Sequence, residues 1–276
     1  MITTVMLTAY LGRERPALEQ IEALEREAEH RALGRAVGVA ECARATLHNS
    51  LGHHPAALQA AERALTYRDI SLHPWALIEF VEAAVRTGDH DAAAEGRDRL
   101  GVWAECGTPR ALGGYVLADA LVATTGASGD RSDFIQGRFR EAIEHFEGGG
   151  VGVLLTRSRL LFGEWLRREN QRTQARSELR AAHEAATAIG MEAFAERARR
   201  ELLATGETVA KRSGGAVVLT PQEVQIGRLV VAGHSNAEVG GQLFLSPRTV
   251  EWHLRKIFTK LGISSRRELD GSLLVG

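Results

Sequence analysis

The stretch SPRTVEWHLRKIFTKL, residues 246–261, decides how this chain is read. Ser246 followed by Pro247 opens a helix: the hydroxyl caps a free amide, and Pro fits the first helical position, where no hydrogen bond is lost. At about 100° per residue, Val250, Leu254, Ile257 and Leu261 fall on one narrow stripe that must face a core. The opposite face holds Arg248, Trp252, Arg255 and Thr259, with Glu251 beside them. One flank carries Thr249, His253, Lys256 and Lys260. Packing within a small helical unit does not account for a Trp opposite the apolar stripe. Hydroxyl, imidazole and ammonium groups in a row suit phosphate oxygens, and the central face suits base edges. The layout predicts a recognition helix for double-stranded DNA. The bland alternative is a solvated basic helix whose Trp is covered by another surface.

Working outward, further helix starts surround this one. The segments 220–223 (TPQE), 235–238 (SNAE) and 265–268 (SRRE) have the spacing of capping boxes. Leu219 with Val224, and Leu245 with Val250, are placed as hydrophobic staples, and Gly233 and Gly262 supply stops. Four short helices are predicted, at about 221–232, 236–244, 247–261 and 266–274. The second, with the turn at 244–246, would brace the third as a helix-turn-helix.

Upstream, residues 16–205 read as helices broken by short turns. Four positions repeat a Gly or Asn followed five residues later by Ala: Gly52 with Ala57, Gly88 with Ala93, Gly137 with Ala142, and Asn170 with Ala175. Gly or Asn can take positive φ and end a helix, and a small residue one turn later lets the next helix pack closely. Such hairpins bury their apolar faces only by stacking. The pattern resembles degenerate tetratricopeptide repeats; a non-repetitive all-α bundle would show part of it. Trp75, Trp103 and Trp165 are expected in packing, and His53, His54 and His73 in solvent. The stretch 205–218, TGETVAKRSGGAVV, loses the helical period and reads as a linker. The expected organisation is an all-α chain with a repeat body at 1–205, a linker at 206–218 and a terminal domain at 219–276.

Composition narrows the function. The chain has 34 Lys and Arg against 35 Asp and Glu, a net charge of −1, but from Leu219 onward seven basic residues face five acidic ones. A basic end on an acidic body suggests a division of labour. Cys42 and Cys106 stand too far apart for a metal motif or disulfide framework. No apolar run reaches the roughly 18 residues of a membrane span. The first residues lack the basic region of a signal peptide, so a cytoplasmic setting is expected. His183 and Glu184 lack the second His of a zinc-protease helix. Asp89 and Asp91 open a segment with Ala94 and Leu100 where a calcium loop needs Gly and Glu. No phosphate-loop motif occurs, so neither enzymatic activity nor a metal or cofactor is expected.

The stretch from Leu219 to about Leu269 resembles the LuxR-type, or GerE-type, helix-turn-helix domain. The pieces that carry the likeness are LTPQE, AGHSNAEV, LSPRTVEWHLRKIFTKLG and SSRREL. The resemblance implies a bacterial transcription regulator. It places Glu251, Trp252 and Arg255 toward bases. Thr249, His253, Lys256 and Lys260 would meet phosphate or brace the helix, and Ser235, Asn236 and Arg248 would add backbone contacts. The family often dimerises through its fourth helix, and a net domain charge of only +2, weak for a monomer, leads to the expectation of a dimer on a pseudo-palindromic site. Gly240 and Gly241 depart from the family's usual helix formers, at about 0.5–1 kcal/mol each. Residues 157–207 are similar to the segment preceding this domain in large ATP-binding LuxR-family regulators. The body would then bind a protein or small-molecule effector. A repeat scaffold with a vestigial DNA-binding domain is the alternative.

Overall fold

The computed structural model describes the chain except residues 1, 32, 68, 70, 127–130, 208–218, 220, 244, 262, 264 and 271–276; at 2, 3, 221, 259, 260 and 267 it describes backbone only. The described residues form α-helices and no strand, as the composition required. They divide into two units, Met1–Val209 and Ala210–Gly276.

The first unit contains α1 (Ile2–Leu11), α2 (Glu14–His30), α3 (Gly34–Leu51), α4 (His54–Thr66), α5 (His73–Thr87), α6 (His90–Ala104), α7 (Pro109–Ala123), α8 (Ser132–Gly148), α9 (Gly152–Arg168), α10 (Arg172–Ile189) and α11 (Glu192–Ala204). Each helix packs on the next, and the odd-numbered ones also touch one another: α1 on α3, α3 on α5, α5 on α7, and α9 on α11. The result is a two-layer array of hairpins with the odd helices inside.

The turns follow the expected chemistry at three of the four positions. Gly52 and Gly88 end α3 and α5 at φ 82° and 81°, and Asn170 takes φ 58° between α9 and α10. One turn later Ala57, Ala93 and Ala175 are fully buried. The fourth expectation fails: Gly137 lies inside α8, so it ends nothing. Ala142 is nevertheless buried, because it sits on the α8 face that packs inward with Phe139 and Phe146. Each such fully buried Phe or Leu contributes about 1.5–3 kcal/mol.

The array closes on itself. α11 packs on α9 and also on α3, and Arg13 pairs with Glu192 at 2.7 Å. Ionised groups fill the inside. Arg157 of α9 donates to Glu79 and Glu82 of α5; Arg197 of α11 donates to Glu164 and Glu82; and Thr46 and Asn49 of α3 donate to Glu79 at 2.9 and 2.8 Å. Desolvation opposes ionisation of Glu82, but Arg157, Arg197 and Arg86 outweigh it and hold the carboxyl far below its usual range. Buried pairs of this kind add little net stability over apolar packing. They do require the odd helices to meet in one arrangement. The inner surface that solenoids use for partners is thus occupied by the chain's own side chains.

One expectation about side chains is corrected. His54 is half-buried rather than solvated and bonds through Nδ1 to Asn49 at 3.2 Å; His73, also half-buried, bonds through Nε2 to the Tyr67 carbonyl at 2.8 Å. The tryptophans pack as expected: Trp165 stacks on Phe162 in the core, and Trp75 and Trp103 pack half-buried against it while also lining a cavity. After α11, Thr205 and Glu207 are held against α10. Arg176 donates to the Thr205 carbonyl at 2.6 Å, and Arg180 to Glu207 at 2.8 Å. Most of the expected linker, 208–218, lies outside the described residues.

The second unit contains α12 (Pro221–Val231), α13 (Asn236–Leu243) and α14 (Pro247–Leu261), then a single 3₁₀ turn at Arg266–Glu268. Leu219, Ile226, Val230, Val239, Val250, Leu254, Ile257 and Leu269 form its core. The expected α-helix at 266–274 is not what the described part shows. Ser265 Oγ donates to Glu268, and Leu269 turns extended (ψ 113°) to bury its side chain in this core, which stops the helix after one turn. Residues 271–276 and the Gly262 stop lie outside the described residues.

Candidate nucleic-acid interface

Two caps hold the helix-turn-helix. Ser235 and Glu238 cap α13 reciprocally: the Ser235 amide donates to Glu238 at 2.7 Å, and the Glu238 amide donates to Ser235 Oγ at 3.4 Å. The first amides of α14 are satisfied at Ser246, whose Oγ accepts from the Thr249 amide at 3.1 Å. Gly233, at φ 93°, turns the chain out of α12. The capping box at 220–223 rests on Thr220, outside the described residues.

Between α13 and α14 the backbone comes very close. Leu245 N donates to the Gly240 carbonyl at 2.9 Å, and a Cβ on Gly240 would lie 2.5 Å from the Leu245 carbonyl oxygen. Gly240 is therefore not a simple loss of helix propensity; it lets the turn fold tightly onto α13. Gly241 faces open space and carries only the propensity cost.

The stripe on α14 faces inward as read: Val250 and Ile257 are fully buried, Leu254 nearly so. The opposite face is open. Trp252 is 52% exposed. Lys256 Nζ sits 3.6 Å from its ring centroid, and His253 meets it edge-on at 4.9 Å. Arg255 donates to Glu251 one turn earlier at 2.8 Å, with both side chains mostly exposed. Arg248 is exposed alongside. Thr249 is half-buried, its hydroxyl shared with Ser246 at 2.7 Å. Among the described residues, the buried His253 Nδ1 has no hydrogen-bond partner. The Lys260 side chain lies outside the described residues.

Ser235 and Asn236 sit apart from this row, at the start of α13. Both already have partners: Ser235 in its cap, and Asn236 Oδ1 accepting from Arg266 at 3.1 Å. Arg266 also donates to the His234 carbonyl. It ties the final turn to the entry of α13, a role that sequence reasoning missed. A separation of 30 positions between Arg266 and Asn236 gives no local signal of it.

Residues 217–270 match the family model described as bacterial regulatory proteins, luxR family (GerE). The chain carries a luxR-family regulatory domain. Over 51 residues this luxR-family domain is 49% identical to proteins named as HTH-type transcriptional regulators of Mycobacterium bovis and Mycobacterium tuberculosis. That match covers 18% of this chain and 6% of each relative. Over 65 residues it is 37% identical to the oxygen regulatory protein NreC of Staphylococcus aureus, covering 24% of this chain and 30% of that protein. The chain thus matches less than a third of the length of these relatives. No solved structure matches the chain. Among the described residues, no helix is long and apolar enough to cross a membrane.

Proposed function

We propose that this chain is a bacterial transcription regulator that binds double-stranded DNA sequence-specifically, with α14 in the major groove. The observation that carries this reading is the exposed row Arg248, Glu251, Trp252 and Arg255 on a helix whose other face is locked into a core. The relatives named as transcriptional regulators support it.

Arg255 donates to a guanine edge, for which a guanidinium is the natural bidentate partner. Glu251 holds Arg255 in line or accepts from a cytosine amine. Trp252 meets a thymine methyl or a sugar. Arg248, Thr249, Lys256 and Lys260 contact phosphates, as do Ser235 and Asn236 at the start of α13. His253 does so through Nε2, because Nδ1 is buried. A domain charge of only +2 is too weak for tight monomer binding through phosphates. The protein therefore acts as a dimer on half-sites about one helical turn apart. It works in the cytoplasm, as a regulator rather than a catalyst.

The test is a random-oligonucleotide selection with the full chain, followed by footprinting and sedimentation. An enriched two-fold motif and a dimer on DNA are expected. No enriched motif would remove the reading; a single half-site bound by a monomer would remove the dimer.

A further inference from the structure

We propose that the cavity bounded by α5, α6, α7 and α9 is a binding site for a small planar aromatic carboxylate. The cavity measures about 270 Å³ and is mostly apolar. Trp75 of α5 and Trp103 of α6 line it, with Ile78, Leu100 and Leu154. Two half-buried indoles facing an unfilled space leave apolar surface in contact with water, which a flat ring would cover favourably. The size suits a bicyclic ring and is too small for a helix or an extended peptide.

The charge at this cavity has one sign. Arg110 lines it, with its guanidinium carbon 5.4 Å from the Trp75 ring centroid. Among the described residues Arg110 makes no ion pair or hydrogen bond. Among the described residues, no acidic side chain lines the cavity. An apolar pocket with an unpaired cation at its edge selects an anion carried on a flat apolar body. A neutral ring would leave Arg110 unused, and a sugar would face too few polar partners.

Cys106 also lines the cavity and supplies a reporter. It is exposed, while the other cysteine, Cys42, is buried. Alkylation of the native protein therefore reads Cys106 alone.

The experiment titrates the full chain with 2-naphthoate and with neutral 2-naphthamide, by calorimetry and tryptophan fluorescence. Binding of naphthoate at least about tenfold tighter than the amide is expected, with slowed iodoacetamide labelling of Cys106. Arg110→Gln should bring the two ligands level. Ala111→Phe, which fills the cavity, should abolish both while helical circular dichroism stays unchanged. Absence of binding up to about 1 mM overturns the proposal. So does equal affinity for the two ligands in the wild type, or naphthoate binding that leaves Cys106 labelling unchanged. If Ala111→Phe fails to fold, Arg110→Gln and the Cys106 protection still decide. No DNA enters the measurement, so its outcome is separate from the role proposed for α14.

Discussion

The guanidinium of Arg157 holds the carboxylate of Glu79 through two hydrogen bonds, 2.6 and 2.7 Å long, with both side chains out of water. The same guanidinium donates to Glu82 at 2.6 Å. Arg157→Met would leave two buried carboxylates short of a cation. The expected loss is roughly 3–5 kcal/mol, read as a lowered urea midpoint by circular dichroism. A loss below about 1 kcal/mol would mean that water or Arg197 compensates, and that the centre is less closed than described.

His54 gives the body a pH-dependent stability. Burial pushes its imidazole down to about 4; Glu82 opposes this, and Arg197 and Arg86 reinforce it. The unfolded chain takes up that proton near pH 6.5. Between pH 6.5 and 4 the unfolded state therefore binds more protons, and stability falls as pH falls. His48, shifted downward by burial as well, adds to the slope. The expected readout is the difference between wild type and His54→Gln, about 1–3 kcal/mol less acid loss in the variant. Parallel stability curves over this window would show that His54 does not control it.

The two adjacent glycines of α13 should respond oppositely to one methyl group. Gly241→Ala meets no atom and should gain about 0.5–1 kcal/mol. Gly240→Ala drives a Cβ to 2.5 Å from the Leu245 carbonyl oxygen. It should lose stability by about 1–3 kcal/mol through backbone displacement, and weaken DNA binding by shifting the entry to α14. Thermal melting of the two variants, with a footprint titration, separates them; equal melting temperatures would contradict the close approach.

On DNA, Arg255→Ala should cost on the order of 1–3 kcal/mol and relax preference at one base pair. Lys256→Ala should weaken all sequences alike and flatten the salt slope by about one unit. Because Lys256 also covers the Trp252 ring, this variant should raise the Trp252 fluorescence response to binding. Footprint titrations at several salt concentrations measure both, and identical uniform losses would contradict the division of roles.

Much of the luxR-family domain was legible because its signals are local. Ser235 and Glu238 are three residues apart and cap each other. The stripe from Val250 to Ile257 repeats with the helical period and is buried. Reading failed where packing outweighed a weak local signal. Gly137 looked like Gly52 in sequence, yet α8 runs through it, because a single Gly costs a helix only about 1 kcal/mol. The 266–274 helix was expected from its capping box, but burial of Leu269 stops it after one turn. Arg266 reaches Asn236 from 30 positions away, a contact that no local pattern announces.

The sequence by itself determined that the chain is helical, where α12, α13 and α14 begin, and which face of residues 247–261 is apolar, because propensity, capping and periodicity act within a few residues. Only the tertiary structure decided that α11 returns to α3, that Glu79, Glu82, Glu164, Arg157 and Arg197 fill the inside of the body, and that Trp75, Trp103 and Arg110 surround one cavity. Those outcomes depend on groups brought together from positions up to 148 residues apart, as Asn49 and Arg197 are. No local pattern encodes which buried charge will find which partner.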